Sequence, residues 1–442
     1  MAIRSFRHRG RSRSSPGVSS PLETARGPGL ATLVLTILAP FALGYFLSYL
    51  FRSVNAVVGP NLVADIGLSA ADLGLLTSAY LLAFALFQLP LGVLLDRFGP
   101  RRVQTALLGC AALGSLLFAV GQDIATLTFA RALIGLGFAG GLMSGFKAIV
   151  LWVPEPRRAL ANACVMSFGA LGILVATVPV ELAVQAFGWR GVFAGLAAMV
   201  LAVAALILTV VPEHVGGDAA QSLGRQIATV IEILRDPAFW RLAPLLSTTA
   251  GTHVAIQTLW AGPWFRDVAG LDRIGVANHL MVVAVAFLVG ILLSGAVGDW
   301  FARRGVDLLN VLLGFLAFFL CAELAIVLQL TSINLVMWIV FGMTGQVAIL
   351  AYPWLSSHYG AAASARAMTA MNLAIFSTAF GVQYAIGAII DLFPTTPSGG
   401  YDPQAYQVAF GVFFATQLLA LVWYLLGRRA LVESRRRAEG SS

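Results

Sequence analysis

The sequence predicts an all-α polytopic membrane protein, with twelve transmembrane helices in two pseudo-symmetric six-helix bundles. Composition, the count of apolar runs and an internal repeat carry that expectation. Of 442 residues, 59% are hydrophobic and 11% charged, and the mean hydropathy is +0.86, whereas a soluble domain carries about 25% charged residues. This excludes a water-soluble enzyme. The apolar runs are continuous rather than alternating segments of about 10 residues, which excludes a β-barrel. Helices are then the remaining way to satisfy the backbone in lipid. At about 20 residues per span, a dozen spans use roughly 240 residues and leave room for short loops, two tails and one linker.

Residues 1–29 form a basic tail holding six arginines. The apolar run that follows is too long for the h-region of a cleaved signal. Spans are expected near 30–58, 72–95, 101–121, 125–151, 159–186 and 190–211 for an N-terminal bundle over 30–211. Between 212 and 239 the hydropathy drops, and the segment reads as a cytoplasmic linker with a surface helix around 223–234. A second bundle over 240–427 has spans near 240–265, 275–298, 306–329, 333–355, 366–390 and 405–427, followed by a basic tail over 428–442. With both tails inside, 22 of the 28 Lys and Arg fall in cytoplasmic segments and three, Arg190, Arg266 and Arg273, fall outside. The positive-inside rule therefore orients the chain in the inner membrane with cytoplasmic termini. It also accounts for the net charge of +8 without a nucleic-acid partner. Cys110, Cys164 and Cys321 lie singly in apolar runs, with no ligand spacing for a metal, and no cofactor is expected.

The two bundles repeat each other. Gly59-Pro60 recurs as Gly262-Pro263, Gly67-Leu68 as Gly270-Leu271, Gly92 and Asp96 as Gly295 and Asp299, and Arg101 as Arg304, each pair 203 residues apart. A single offset across two spans and their loop implies a duplicated unit, as in secondary transporters whose halves rock about a midplane site. The loop itself reads Gly92-Val-Leu-Leu-Asp96-Arg97-Phe98-Gly99-Pro100-Arg101-Arg102. It resembles the G-x-x-x-D-R-x-G-x-R-R signature of the major facilitator superfamily at every fixed position. The resemblance extends to the twelve spans, the linker, the degenerate second copy and Arg131-x-x-x-Gly135-x-Gly137 in the fourth span. It implies a conformational latch formed by Gly92, Asp96, Arg97, Gly99, Arg101, Arg102 and Asp299, in which opposite charges at helix ends meet in one conformation and part in another. Trp300 stands in the second copy where the first has Arg97. Gly135-Leu-Gly137-Phe-Ala-Gly140 matches the dinucleotide fingerprint only as a string, because it lies mid-helix and follows no strand. Small residues at that spacing instead allow close helix packing. No enzyme constellation is found.

Ionisable residues inside spans cost about 2.5–3.5 kcal/mol each on insertion scales and so mark sites or partners. Arg52 lies toward the outer half of the first span, with Asn55 on the same face. Tyr49-Leu-Phe51-Arg52-Ser53 resembles the first helix of the superfamily's organic-anion carriers, the anion:cation symporters and organophosphate antiporters. The resemblance implies that Arg52 holds a substrate carboxylate or phosphate through a two-pronged contact. Phe51 and Phe138 stand where the symporters carry acids, and Ala255 stands where the antiporters carry a second arginine. Arg131 is expected to face the cavity. Lys147, the only lysine and 16 residues further along, is about 160° out of phase with it on a straight helix; near the cytoplasmic end of the span it reads as a snorkelling residue, with a substrate or gate role as the alternative. In the seventh span His253, Gln257, Trp260 and Trp264 would share one face, suited to stacking on and bonding a polar solute, with His253 able to titrate as a coupling group. Glu181, near an outer helix end, and Glu323, in the normally peripheral ninth helix, are weaker proton carriers. Gln346, Asn372, Gln383 and Tyr384 are further polar groups on the tenth and eleventh spans.

The reading that follows is a secondary transporter of a small organic solute, an organic anion by preference. It works by alternating access, with lipid as its surroundings and protons as its candidate coupling ion. A drug or metabolite exporter of the same superfamily is the alternative. A sensor that kept the fold and lost transport is the reading from another class, favoured by the absent coupling carboxylates and opposed by the short basic tails.

Overall fold

The computed structural model describes residues 30–213, 223–396 and 399–439. The expected tail 1–29 and linker residues 214–222 lie outside the described residues. Among those described there is no strand, only an isolated bridge between Thr395 and Tyr401. Ten helices are long and apolar enough to cross a membrane. One of them, Ala70–Val120, is two spans joined at Gly99, where φ 74° and ψ 163° leave the helical region. Gly tolerates positive φ, and Pro100 restarts the helix with a φ already suited to its first turn, so the reversal needs no loop residues. A further crossing, the seventh, is Pro237–Ala255 and Ala261–Asp267 separated by a π turn at Ile256–Trp260. Counting both gives the twelve spans expected from the sequence. The linker helix is Leu223–Arg235.

Several spans are interrupted. The first runs Ala39–Ser53 and Asn55–Ile66 about Val54. The fourth is Ile124–Phe138 and Gly141–Trp152. The fifth ends its first segment, Glu155–Val175, at Ala176 and Thr177 and resumes at Val178. It turns into the sixth at Gly188, with φ 68°. The eighth and ninth are Arg273–Ala302 and Leu308–Val327. The tenth combines Asn334–Thr344, a 3₁₀ turn at Val347–Ala351 and a helix from Tyr352, which bends into the eleventh at Gly360. The twelfth begins at Pro403.

Small residues set the spacing between helices. A Cβ on Gly135 would strike the Tyr80 carbonyl, one on Gly137 the Ala111 amide, and one on Gly140 the Leu107 side chain. The glycine string in the fourth span is therefore a packing surface against the second and third. Gly262 meets the Ala56 carbonyl, and Gly387 meets that of Ala70, so the repeat halves also touch backbone to backbone. We call the face that carries Asn61, Glu181 and Arg273 the outer face, after the charge distribution. There the N–H groups of Ala70 and Ala71 each donate to Asp391 at 2.8 Å, a carboxylate from the eleventh span capping the exposed donors of the second.

Gly135→Ala is expected to destabilise the protein by about 1–3 kcal/mol through overpacking, read as a lower Tm in detergent. Gly195→Ala, whose Cβ would meet nothing within 4 Å, should leave Tm unchanged or raise it slightly.

Candidate functional site

The first span places Tyr45, Ser48, Tyr49 and Arg52 on one stripe by helical spacing. Arg52 is 8% exposed. Its guanidinium carbon stands 4.6 Å from the Tyr49 ring centre, 4.9 Å from Phe84 of the second span and 5.0 Å from Phe376 of the eleventh. Phe84 and Phe376 are themselves 4.9 Å apart, so the cage spans the two repeat halves. Ring faces attract a cation by about 0.5–2 kcal/mol each but do not neutralise it. Arg52 Nε has no hydrogen-bond partner, and among the described residues no acid pairs with this side chain. Nearby, the Tyr45 hydroxyl lies 3.3 Å from that of Tyr49, and the Tyr352 hydroxyl donates to Asn372 Oδ1 at 3.1 Å. The spacing Tyr45-x-x-x-Tyr49-x-x-Arg52 could have shown the first-span aromatics beforehand. Phe84 and Phe376 carried no such signal.

Arg131 is wholly buried and donates to the Phe51 carbonyl at 3.0 Å. Its guanidinium carbon lies 5.3 Å from the Tyr80 ring centre and 5.9 Å from that of Phe118. Tyr80 in turn donates to the Ser48 carbonyl at 3.1 Å. The arginine thus props the first span from behind, one residue before Arg52. Asn55 Nδ2 donates to Thr77 Oγ1 at 2.8 Å, tying the first span to the second rather than extending the cage.

The seventh-span stripe is split. The π turn inserts one residue, so side chains beyond it rotate by about 100° relative to those before it. His253 is buried among Phe287, Phe319 and Phe341, with neither ring nitrogen hydrogen-bonded. Trp264 packs edge-on against Trp338 at 5.3 Å. Trp260 donates from Nε1 to the Gln383 carbonyl at 3.0 Å. Gln257 faces the other half, lining a cavity of about 20 Å³ with Ser53, Ala56 and Thr177. The structure therefore does not gather His253, Gln257 and Trp260 around Arg52.

At the signature loop, Asp96 accepts from Lys147 Nζ at 2.9 Å, both side chains partly exposed. Lys147, read from sequence as a snorkelling residue, is the partner of the signature aspartate. Arg102 pairs with Glu213 at the start of the linker, and Arg97 stacks on Phe98. Gly92 lies in the second span and Gly99 makes the reversal, while Arg101 forms no ion pair among the described residues. In the second copy Arg304 lies 3.4 Å over Trp300, and Asp299 forms no ion pair among those residues.

The family model of the Major Facilitator Superfamily matches residues 41–382. The chain belongs to the major facilitator superfamily. Its members are membrane transporters, so this protein is not an enzyme. Among curated proteins it is 25% identical over 281 residues to a probable sulfoacetate transporter of Cupriavidus necator, covering 61% of this chain and 65% of the relative. It is 27% identical over 284 residues to a probable L-galactonate transporter of Escherichia coli, covering 59% and 60%. A tetracenomycin C resistance and export protein of Streptomyces glaucescens is 34% identical over 190 residues, 41% of this chain and 34% of that one. The chain thus spans under two thirds of the length of these relatives. A solved bacterial homologue of the lysosomal transporter Spinster, inward-facing and unoccupied, superposes with a TM-score of 0.70 at 17% identity, covering 92% of this chain and 99% of the other. A D-xylose-proton symporter superposes at 0.67 with 16% identity, covering 88% and 97%. Those superpositions establish the major facilitator fold.

Arg131→Leu leaves the buried Phe51 carbonyl without its donor and is expected to cost about 1–3 kcal/mol. Thermal unfolding in detergent measures this loss.

Proposed function

We propose that this protein is a secondary active transporter that carries a small organic anion, a carboxylate or sulfonate, by alternating access across the inner membrane, with both termini cytoplasmic and protons as the coupling ion. The observation that carries the reading is Arg52, a buried cation facing aromatic rings and no acid. A guanidinium left in such a place is stabilised by an incoming anion, which its fork can hold through two parallel bonds. Tyr49, Phe84 and Phe376 supply ring faces for a short carbon skeleton, and Tyr352 and Asn372 supply polar contacts from the opposite half. The names of the sulfoacetate and L-galactonate relatives agree with this class. Asp96–Lys147 and Arg102–Glu213 form the cytoplasmic latch. Such exposed pairs contribute about 0.2–1 kcal/mol each, weak enough to part in every cycle.

The test is a thermal-shift series on purified protein with sulfoacetate, L-galactonate, inorganic phosphate and a hydrophobic cation. A ligand at a hundred times its Kd stabilises by about 2.7 kcal/mol. A carboxylate or sulfonate is expected to raise Tm in the wild type and to lose that effect in Arg52→Ala. Arg52→Lys, which keeps charge but not the fork, should retain only part of it. Stabilisation by the hydrophobic cation alone, unaffected by Arg52→Ala, would favour the exporter, a reading that the aromatic cage and the tetracenomycin relative support. Binding without flux in proteoliposomes would favour the sensor.

A further inference from the structure

The turn between the eighth and ninth spans carries the second copy of the signature loop, and its charges are not arranged as in the first. Asp96 has Lys147, but Leu350 stands 203 residues after that lysine, with its side chain beside Gly298. Among the described residues neither Arg303 nor Arg304 pairs with an acid. Arg304 is stacked on Trp300, which fixes the plane of the guanidinium and spends none of its in-plane N–H donors. Arg428, at the end of the twelfth span, donates to Asn310 Oδ1. Of the two acids in this corner, Asp299 lies one turn before Arg303 without an ion pair among the described residues, and Asp307 caps the ninth span by accepting from the Leu309 N–H at 3.0 Å. Three arginines thus face two acids, and the donors of Arg303 and Arg304 are unspent.

A groove of about 640 Å³ opens at the same corner, between the eighth, ninth and tenth spans. Phe301 and Val306, which flank the turn holding Arg303 and Arg304, line its mouth together with Asn310. It continues along the ninth span past Gly314 to Phe318, which is 66% exposed, so its far end is open to the side. Asn310 and Phe318 are eight residues apart, about 12 Å of helix. Gly314 gives the groove its depth, because a Cβ there would meet nothing within 4 Å. The eighth and tenth spans close the back, where Gly290 packs on the Met343 carbonyl. The walls are otherwise apolar, and the charge is confined to the mouth.

We propose that this groove and its arginine corner are a binding site for one anionic glycerophospholipid, its phosphate held by Arg303 and Arg304 and one acyl chain laid along Gly314. An apolar channel with positive charge at one end matches a molecule with an apolar tail and a negative head. An inorganic anion would leave the groove empty, and a purely apolar solute would leave the guanidinium donors unused. Phosphate oxygens suit the planar guanidinium fork, and basic pockets between spans select acidic headgroups. A zwitterionic lipid brings its own cation to the same arginines and is held less well. In the first copy protein carboxylates meet the loop cations, at Asp96 and Glu213. In the second copy the lipid phosphate takes that place, so the C-terminal half is completed by a membrane component. The site is independent of Arg52 and of the solute carried.

The experiment is native mass spectrometry of the full chain in detergent, titrated with dioleoylphosphatidylglycerol, dioleoylphosphatidylcholine or inorganic phosphate. One phosphatidylglycerol is expected to bind about tenfold more tightly than phosphatidylcholine. The double variant Arg303→Gln/Arg304→Gln should lose that preference and bind the two lipids alike. Gly314→Trp fills the groove without touching the arginines and should weaken both lipids; Gly314→Leu serves if the tryptophan variant folds poorly, with thermal unfolding as the check on folding. Equal binding of the two lipids by the wild type, or a preference unchanged in the arginine variant, overturns the proposal. So does full retention of phosphatidylglycerol in a folded groove-filling variant. Displacement of the lipid by inorganic phosphate with the same arginine dependence would make this a simple anion site, and a mass of two chains abolished by Gly314→Trp would make the groove an interface between copies; either result overturns the lipid assignment.

Discussion

A cation buried in the membrane without a counter-anion is the constraint around which the rest of this structure is arranged. Arg52 does not face lipid, and among the described residues no acid pairs with it. The solution is an incomplete one: three aromatic faces from both repeat halves hold the guanidinium without discharging it. Arg131 then acts as a brace. By bonding the Phe51 carbonyl it fixes the backbone from which Arg52 projects, just before the irregularity at Val54. One arginine is presented and the other does the presenting.

The two faces of the protein close in different ways. The pairs at Asp96 and Arg102, on the opposite face, are partly solvated and lie within the N-terminal half and its linker. The outer face uses inter-half contacts, with a buried acceptor at Glu181 and an exposed one at Asp391, together with glycine contacts that bring backbones together. A buried acceptor that loses its donor must find another or change its charge, whereas a solvated one need not.

Much of this was legible in the sequence. The apolar runs set the spans, the 203-residue offset revealed the duplication, and the charged loop identified the family, because each reflects a local or repeated constraint. The place of Arg52 inside a span was legible as well, since its charge interrupts an apolar run. The seventh-span stripe was not: His253, Gln257, Trp260 and Trp264 align on an ideal helix, and the π turn that splits them has no sequence signature at the level of periodicity. Lys147 was read first as snorkelling because it lies near the end of the fourth span, and its partner Asp96 is 51 residues away in the sequence. Arg273 counted only as a loop charge, because its bond to Glu181 links residues 92 apart. Pairing between elements that distant depends on packing angles that no single-sequence pattern encodes.

The pairing of Lys147 with Asp96 also gives the molecule a natural reporter. It is the only lysine in the sequence, its amine is held by a carboxylate in the state described here, and any rearrangement that releases Asp96 changes how readily that amine is acylated. Amine-directed reagents and mass spectrometry can therefore follow this end of the fourth span at its one lysine, without introducing a label.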